Sequence, residues 1–398
     1  MHQHPRARRS RCFGPVPRLR LWRVLIFLLF IAAISFIPLI YKHKHKKHIL
    51  QPDLYRWSNH GPSNVLLLPE KIESFCHAHG FPSYEQGPHE RKVYDLFVLS
   101  TELDWLEIRL HTLSPYVDFF VIVESRTTST GRLKSAVLAD NWERWAPFHS
   151  KILHRVIEDR DLAVGDQASD YEDFLRHALL YSVFHELAGT RQEPHEGDVL
   201  IVSDVNEIPK PETLVVLRKC EFPDRLTLRS HSYYYSFQWL RRVEQWPHPQ
   251  VTTYHGLGNT ISPKDLRSGE ANTHGFLYLN HLWTWRDKAE LWNAAWHCSY
   301  CFATIKEMQA KMESFSHTCV NISESREPKN VIRRVRNGQD LFGREDEVYE
   351  KVINNGDVPA YVLQNRQAFA YLLDRDGDNA GFTDVDHNGA LLPERDKV

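Results

Sequence analysis

The chain has 398 residues, of which 42% are hydrophobic, 12% aromatic and 25% charged. That is enough apolar material for one large domain or two ordinary ones, and too much for a disordered chain. The formal net charge of −2 conceals an asymmetry: residues 1–50 hold seven Arg, four Lys and no Asp or Glu, so the remainder carries −13; a body that acidic excludes a basic surface for nucleic acid, and no nucleic-acid partner is expected.

The first predicted element is Val24–Tyr41, VLIFLLFIAAISFIPLIY, 18 residues without a charge between Arg23 and Lys42. About 17–25 apolar residues cross a bilayer as a helix. A cleavable signal peptide is the competing reading. Its apolar region is shorter, roughly 7–15 residues, and the KHKHKKH that follows here is a poor cleavage site. The expectation is an uncleaved transmembrane anchor at 24–41 behind a cytosolic tail at 1–23. Seven Arg before it, against four Lys after it, put the N-terminal side in the cytoplasm. The body is then lumenal or extracellular, where disulfides persist. It contains Cys76, Cys220, Cys298, Cys301 and Cys319, an odd number, and a glycosylation sequon at Asn321-Ile322-Ser323.

Residues 42–91 read as a stem, rich in Pro, Gly, Ser, Asn and His with only short apolar runs. At Val93 the pattern becomes dense. VYDLFVLS reads as a buried strand. TELDWLEIRLHTL follows as a helix: Thr101 and Asp104 have capping-box spacing, and Leu103, Leu106, Leu110 and Leu113 recur at helical spacing. VDFFVIVES is a second buried strand. Ser169 with Glu172 opens another capped helix that runs to Gly189. VLIVS, at 199–203, is a third strand, and Pro211 suits the first turn of the next helix. Strands alternating with helices imply an α/β body with a largely parallel sheet flanked by helices. Ligands of such sheets bind beyond the carboxyl ends of the strands. That edge collects Ser100–Glu102, Glu124–Ser125 and Asp204–Glu207. The catalytic body is expected over 92–374. Residues 375–398 read as a flexible acidic tail, and the calcium-loop pattern of Asp384–Arg395 fails at its twelfth position, Arg395.

In SDVNEIP, Asp204 and Asn206 point the same way if the strand geometry continues, and together they can hold a hard cation such as Mg²⁺ or Mn²⁺ with substrate phosphates. Glu207 then faces elsewhere, as a base or an anchor. The plainer alternative is that Asp204 caps the turn and Glu207 is a solvated charge. In NAAWHCSYCF, Cys298 and Cys301 can be half a zinc site, a redox pair or a disulfide, and a lumenal setting favours the disulfide. His297 is either a site residue or a packed core histidine.

In this order the segments YDLFVLSTELDWLEIRLHTL, VDFFVIVESRTTSTG, VLIVSDVNEIPKPETL, WHCSYCF and PAYVLQNRQAFAYLL resemble glycosyltransferase family 17, from about Val93 to Asp374. The resemblance implies a GT-A-like fold and a single-pass type II Golgi membrane enzyme. It implies inverting transfer of N-acetylglucosamine from UDP-GlcNAc to the β-linked mannose of an N-glycan core, with Mn²⁺ or another divalent cation. The family's acidic motif is matched at Asp204, Glu207, Ile208 and Pro209, with Asn206 where the family usually has Asp. On this resemblance Glu102, Asp104 and Arg109 are expected to bind the donor. Asp204, Asn206 and His297 are the expected metal ligands, and Trp296 a wall beside the acceptor. An inverting displacement needs a base on the acceptor side, and Glu207 and Glu124 are the candidates. An Asn206→Asp change is expected to preserve or raise activity. Two rivals stand: a metal-dependent hydrolase, and a lumenal glycan-binding or assembly protein with a weakened metal site.

Overall fold

Val93–Leu99, Phe119–Ser125 and Val199–Asp204 are strands almost wholly buried, because both faces of this half of the sheet are covered. A computed structural model describes residues 47–49 and 69–393, apart from 129–130, 132, 158–167, 243, 270–287, 314–322 and 387–388. The predicted anchor at 24–41, the tail at 1–23, Cys319 and Asn321 lie outside the described residues. Among those described, no helix is long and apolar enough to cross a membrane.

The strands are β1 (Lys47–Ile49), β2 (Val93–Leu99), β3 (Phe119–Ser125), β4 (Ile152–Ile157), β5 (Val199–Asp204), β6 (Glu207–Pro209), β7 (Arg225–Tyr234), β8 (Ser236–Arg241), β9 (Gln250–Thr253), β10 (Lys288–Ser299) and β11 (Tyr349–Lys351). They join in one sheet along the path β1-β10-β7-β9-β5-β2-β3-β4, with β6 on β10, β8 on β7 and β11 on β8. The helices that matter here are α1 (Pro69–Ala78), α2 (Leu103–Leu113), α3 (Val137–Asp140), α4 (Ala168–Phe184), α5 (Pro211–Lys219), α6 (Pro263–Ser268), α7 (Ile305–Glu313) and α8 (Pro328–Arg336).

The half built from β5, β2, β3 and β4 is parallel, as the strand–helix alternation predicts. The other half corrects the expectation of a largely parallel sheet. β9 runs antiparallel to β5 and β7, β8 to β7, β6 to β10 and β11 to β8, so the sheet is mixed. After α5 the chain stops alternating. β7 turns directly into β8 through Tyr235, at φ 66°, so no helix separates them and the return must be antiparallel.

Side chains alternate across each strand, which divides the core in two. On one face Phe97, Phe120 and Ile201 pack with Leu106 and Leu110 of α2 and Leu214 of α5. On the other, Leu96, Val121 and Val202 pack with Leu175, Leu179 and Val183 of α4. A third cluster gathers Tyr235, Trp239, Met308, Val331 and Phe382.

Three further expectations are corrected. The segment 42–91 is not all stem: α1 buries Phe75, and Cys76 forms a disulfide with Cys220 at the end of α5. The segment 375–398 is not a flexible tail over its described part. Arg375 is fully buried and donates to the carbonyls of Tyr235, Phe302 and Ala380, and Phe382 and Val385 belong to the core. Asp384 accepts from the N–H groups of Ile305 and Lys306, so it caps α7. The Thr101–Asp104 capping box does not form. The residue preceding α2 is Glu102, without a side-chain cap, and Asp104 accepts from the Tyr371 hydroxyl at 2.8 Å instead.

Candidate active site at the carboxyl edge of the sheet

The site begins where β5 runs out. Val205 and Asn206 form a turn rather than continuing the strand, and the chain re-enters the sheet as β6. The turn brings Glu207 back beneath Asp204, whose N–H donates to Glu207 Oε2 at 2.9 Å. Glu207 therefore does not face elsewhere, as extended geometry predicts. Arg109 fixes the turn from below. It is fully buried, is paired with Asp95 at 2.6 Å, and donates to the carbonyls of Asp204, Val205 and Glu207 at 3.0, 3.2 and 2.8 Å. Three carbonyls satisfied by one guanidinium hold a turn that has no ladder of its own. Arg109 thus supports the site from inside and presents no surface to a donor.

Arg267, at the end of α6, closes the site from above. Its guanidinium spans the two acids, donating to Asp204 Oδ2 at 3.0 Å and to both oxygens of Glu207. The Trp246 indole N–H donates to Glu207 Oε1 at 2.8 Å. Glu207 is 1% exposed. Burial, the largest single influence, works to raise its carboxyl, and the opposing positive charges, led by Arg267, together hold it below its ordinary value. Burial opposes ionisation of Asp204 as well, and Arg267 and Arg176 hold that carboxyl well below the usual range. Asp204 differs in access: its side chain is 44% exposed, and its Oδ1 lies 3.6 Å from the Arg176 guanidinium.

The other expected residues fall into place around this pair, or away from it. Asn206 is half-buried and spends its amide N–H on the Cys298 carbonyl at 2.8 Å. His297 lies directly opposite Glu207 in the β10–β6 ladder. Its ring stacks on Trp246 at 5.0 Å, and its nitrogens lie 3.4 Å from Ser232 Oγ and 3.1 Å from Ser299 Oγ. Burial keeps the imidazole neutral. It is a packed histidine lining the site, with both nitrogens engaged, which corrects its expected place as a metal ligand. Trp296, one residue earlier, points to the opposite face of the sheet and donates to Asp357 at 2.8 Å. It does not share a wall with His297. Cys298 and Cys301 form a disulfide at the end of β10.

Glu124 is corrected as a base. It is fully buried and accepts from the N–H groups of Leu138 and Ala139, at the start of α3, with His154 Nε2 at 2.9 Å. It anchors α3 to the sheet. Glu102 is 9% exposed at its side chain, with Lys311 at 3.2 Å. Burial works against its charge, and Lys311 together with the backbone N–H groups it accepts from more than compensates. Lys311 also adds to the field at Asp204, so Glu102 borders the site through that lysine.

Four residues at the site escape the sequence reading: Arg267, Arg176, Trp246 and His248. Burial, then Arg267, lowers His248 to about 4, so it is neutral. No spacing marks them as a set, since Arg176 comes from α4, Arg267 from α6, and Trp246 and His248 from the connection between β8 and β9.

A family model described as Glycosyltransferase family 17 matches residues 18–378. The chain belongs to glycosyltransferase family 17. Among curated proteins it is similar to the human β-1,4-mannosyl-glycoprotein 4-β-N-acetylglucosaminyltransferase, 25% identical over 307 residues that are 71% of this chain and 55% of that protein. The rat counterpart is 24% identical over the same shares. The chain spans about half the length of the curated relatives it matches. Among solved structures, a mannosyltransferase from Pyrobaculum calidifontis in complex with GDP-Man and Mn²⁺ overlaps 75% of each chain at 9% identity and a TM-score of 0.31, an overlap too slight to carry an argument. Family membership gives the Asp204–Glu207 turn its context: it lies within the matched region, and the sheet presents it at the edge where ligands bind.

The family implies a divalent cation, and the site can be tested for it. No group of three or more His, Cys, Asp or Glu residues among those described is arranged to hold one. Mg²⁺-like cations, however, are commonly held by one or two carboxylates together with substrate phosphates. The Asp204 carboxylate, on a side chain 44% exposed, fits that arrangement. His297 does not fit, and Asn206 commits its amide N–H, not its oxygen, to Cys298.

Proposed function

We propose that the chain is an inverting glycosyltransferase that moves N-acetylglucosamine from UDP-GlcNAc to a β-linked mannose of an N-glycan core, on a GT-A-like fold. The observation that carries the reading is Asp204. It is the acid of the turn whose side chain stays partly exposed, at the carboxyl end of a central strand, in a family 17 chain. Asp204 would hold a divalent cation, which when bound supplies positive charge for the donor diphosphate. Arg267 keeps the Asp204 carboxylate ionised and fixed in direction, and Glu207, which accepts from the Asp204 N–H, holds the turn that carries it. Trp246, half-buried, backed by the stacked His297 ring and donating to Glu207, would supply the aromatic face beside it on which a sugar packs. Residence in the Golgi membrane, with the body lumenal and 24–41 as anchor, belongs to the same proposal.

The test is to incubate the purified protein with a panel of sugar nucleotides, Mn²⁺ and N-glycan acceptors. Acceptor-dependent transfer of N-acetylglucosamine is expected. Release of free sugar without an acceptor would favour a hydrolase, and glycan binding without turnover a lectin.

A further inference from the structure

Arg176, on α4, sits among three carboxylates. Its Nη2 lies 3.1 Å from Glu172 Oε2 and 3.6 Å from Asp204 Oδ1, and its Nη1 lies 3.7 Å from Asp173 Oδ1. Only the Glu172 contact has hydrogen-bond length. Asp204 Oδ2 is already taken by Arg267. The oxygen that would meet a divalent cation is therefore the one that faces Arg176, and a cation arriving there meets a like charge at close range.

Among the described residues, the charges joined to Asp204 by ion pairs can be counted. Asp204, Glu207, Glu172 and Asp173 are negative, and Arg267, Arg176 and Lys264 are positive. The network carries one net negative charge, so its charge does not by itself favour a diphosphate. With a divalent cation added the sign reverses, and a diphosphate is attracted. When a cation takes Asp204 Oδ1, Arg176 loses only its loose contact. It keeps Glu172 and Asp173 on its own helix, and its planar fork of N–H donors matches a phosphate.

We propose that Arg176 stands in for the divalent cation at Asp204, and moves onto the donor diphosphate when the cation arrives, so that cation and nucleotide bind as a coupled pair. This rests on the nucleotide-sugar reading above. The coupling is reciprocal: each ligand raises the affinity for the other by the same factor.

The experiment is calorimetric titration of the full chain in detergent with Mn²⁺ alone, UDP alone, and UDP in saturating Mn²⁺. It compares wild type, Arg176→Gln and Arg176→Lys, with melting curves to confirm folding. Wild type is expected to bind UDP at least about tenfold more tightly with Mn²⁺ than without. Arg176→Gln is expected to bind Mn²⁺ alone about tenfold more tightly and UDP in Mn²⁺ about tenfold more weakly, two shifts of opposite sign. Arg176→Lys keeps the charge but loses the fork. It should leave Mn²⁺ binding near wild type and weaken UDP, and it decides the matter if the Gln variant unfolds. Cation-dependent UDP binding that neither variant alters, or shifts of the same sign in Arg176→Gln, would overturn the proposal and leave the nucleotide-sugar reading standing. Failure of wild type to bind UDP under any condition would overturn both.

Discussion

Replacing Glu207 by Gln removes one of the two carboxylates that face Arg267. Glu207 is 1% exposed and the Arg267 side chain 9%, so the loss leaves a largely buried guanidinium short of a partner. Breaking such a pair costs about 3 kcal/mol or more. The expected result is a clear fall in melting temperature, measured calorimetrically, along with any loss of turnover. A free base would behave differently: its Gln variant would lose roughly 10²–10⁴-fold in kcat at unchanged stability. Asn206 reverses an expectation in the same way. An aspartate there would place a carboxylate against the Cys298 carbonyl that now receives the amide N–H. Asn206→Asp is therefore expected to destabilise the protein by about 1–3 kcal/mol rather than improve it, as denaturant unfolding would report. The sequence supplied the residue types of the motif but not their directions. Whether Glu207 faces Asp204 depends on a turn at Val205–Asn206, and that turn depends on Arg109, 95 residues earlier in the chain.

At the scale of elements, β2, α2, β3, α4, β5 and α5 were legible because buried parallel strands are continuous apolar runs and their helices carry a 3.6-residue stripe, whereas the short α3, β4 and β6 went unread. From Arg225 onward the runs mix Arg, Ser, His and Tyr with apolar residues, and neither period wins. Those strands form by pairing with neighbours distant in sequence, as β10 does with β7 and β6. One loop after β9 carries a pH-dependent tie. His255 Nε2 lies 2.8 Å from Asp224 Oδ1, and Glu196 contacts its Nδ1. The hydrogen bond with Asp224, then that with Glu196, outweighs burial and raises the histidine to about 9. A raised folded-state value means that the stabilisation is complete below an ordinary value of about 6.5 and is lost as pH climbs through 9. The histidine side chain is 34% exposed, so solvent screens the pair and the effect is small. Melting temperature measured from pH 6 to 10 should decline more in wild type than in His255→Gln. Equal slopes would show that the tie contributes nothing.

At the scale of the whole molecule, the ends of the body are tied in. The Cys76–Cys220 bond spans 144 residues and joins α1 to the end of α5. Disulfides that close long loops contribute about 2–5 kcal/mol. A Cys76→Ser, Cys220→Ser double variant should melt lower by that order, and reduction of wild type should reproduce the shift. The C-terminal segment is held as firmly: truncation after Asp374 removes Arg375, whose guanidinium satisfies three buried carbonyls, and Phe382 with it. The truncated protein is expected to be insoluble or partly unfolded by circular dichroism, whereas a flexible tail would be dispensable. Composition misled here because the acids of 375–398 are not all solvated: Asp384 caps a helix, and its neighbours bury apolar side chains.

The central claim is that the partly exposed Asp204 carboxylate organises the donor for transfer. Asp204→Asn keeps the size of the side chain and leaves Glu207 to partner Arg267. The most direct measurement is the rate of N-acetylglucosamine transfer from UDP-GlcNAc by this variant against wild type, with melting curves to confirm folding. The prediction is a loss of at least about 100-fold in a folded protein. A folded Asp204→Asn protein that transfers within a few-fold of wild type would contradict it.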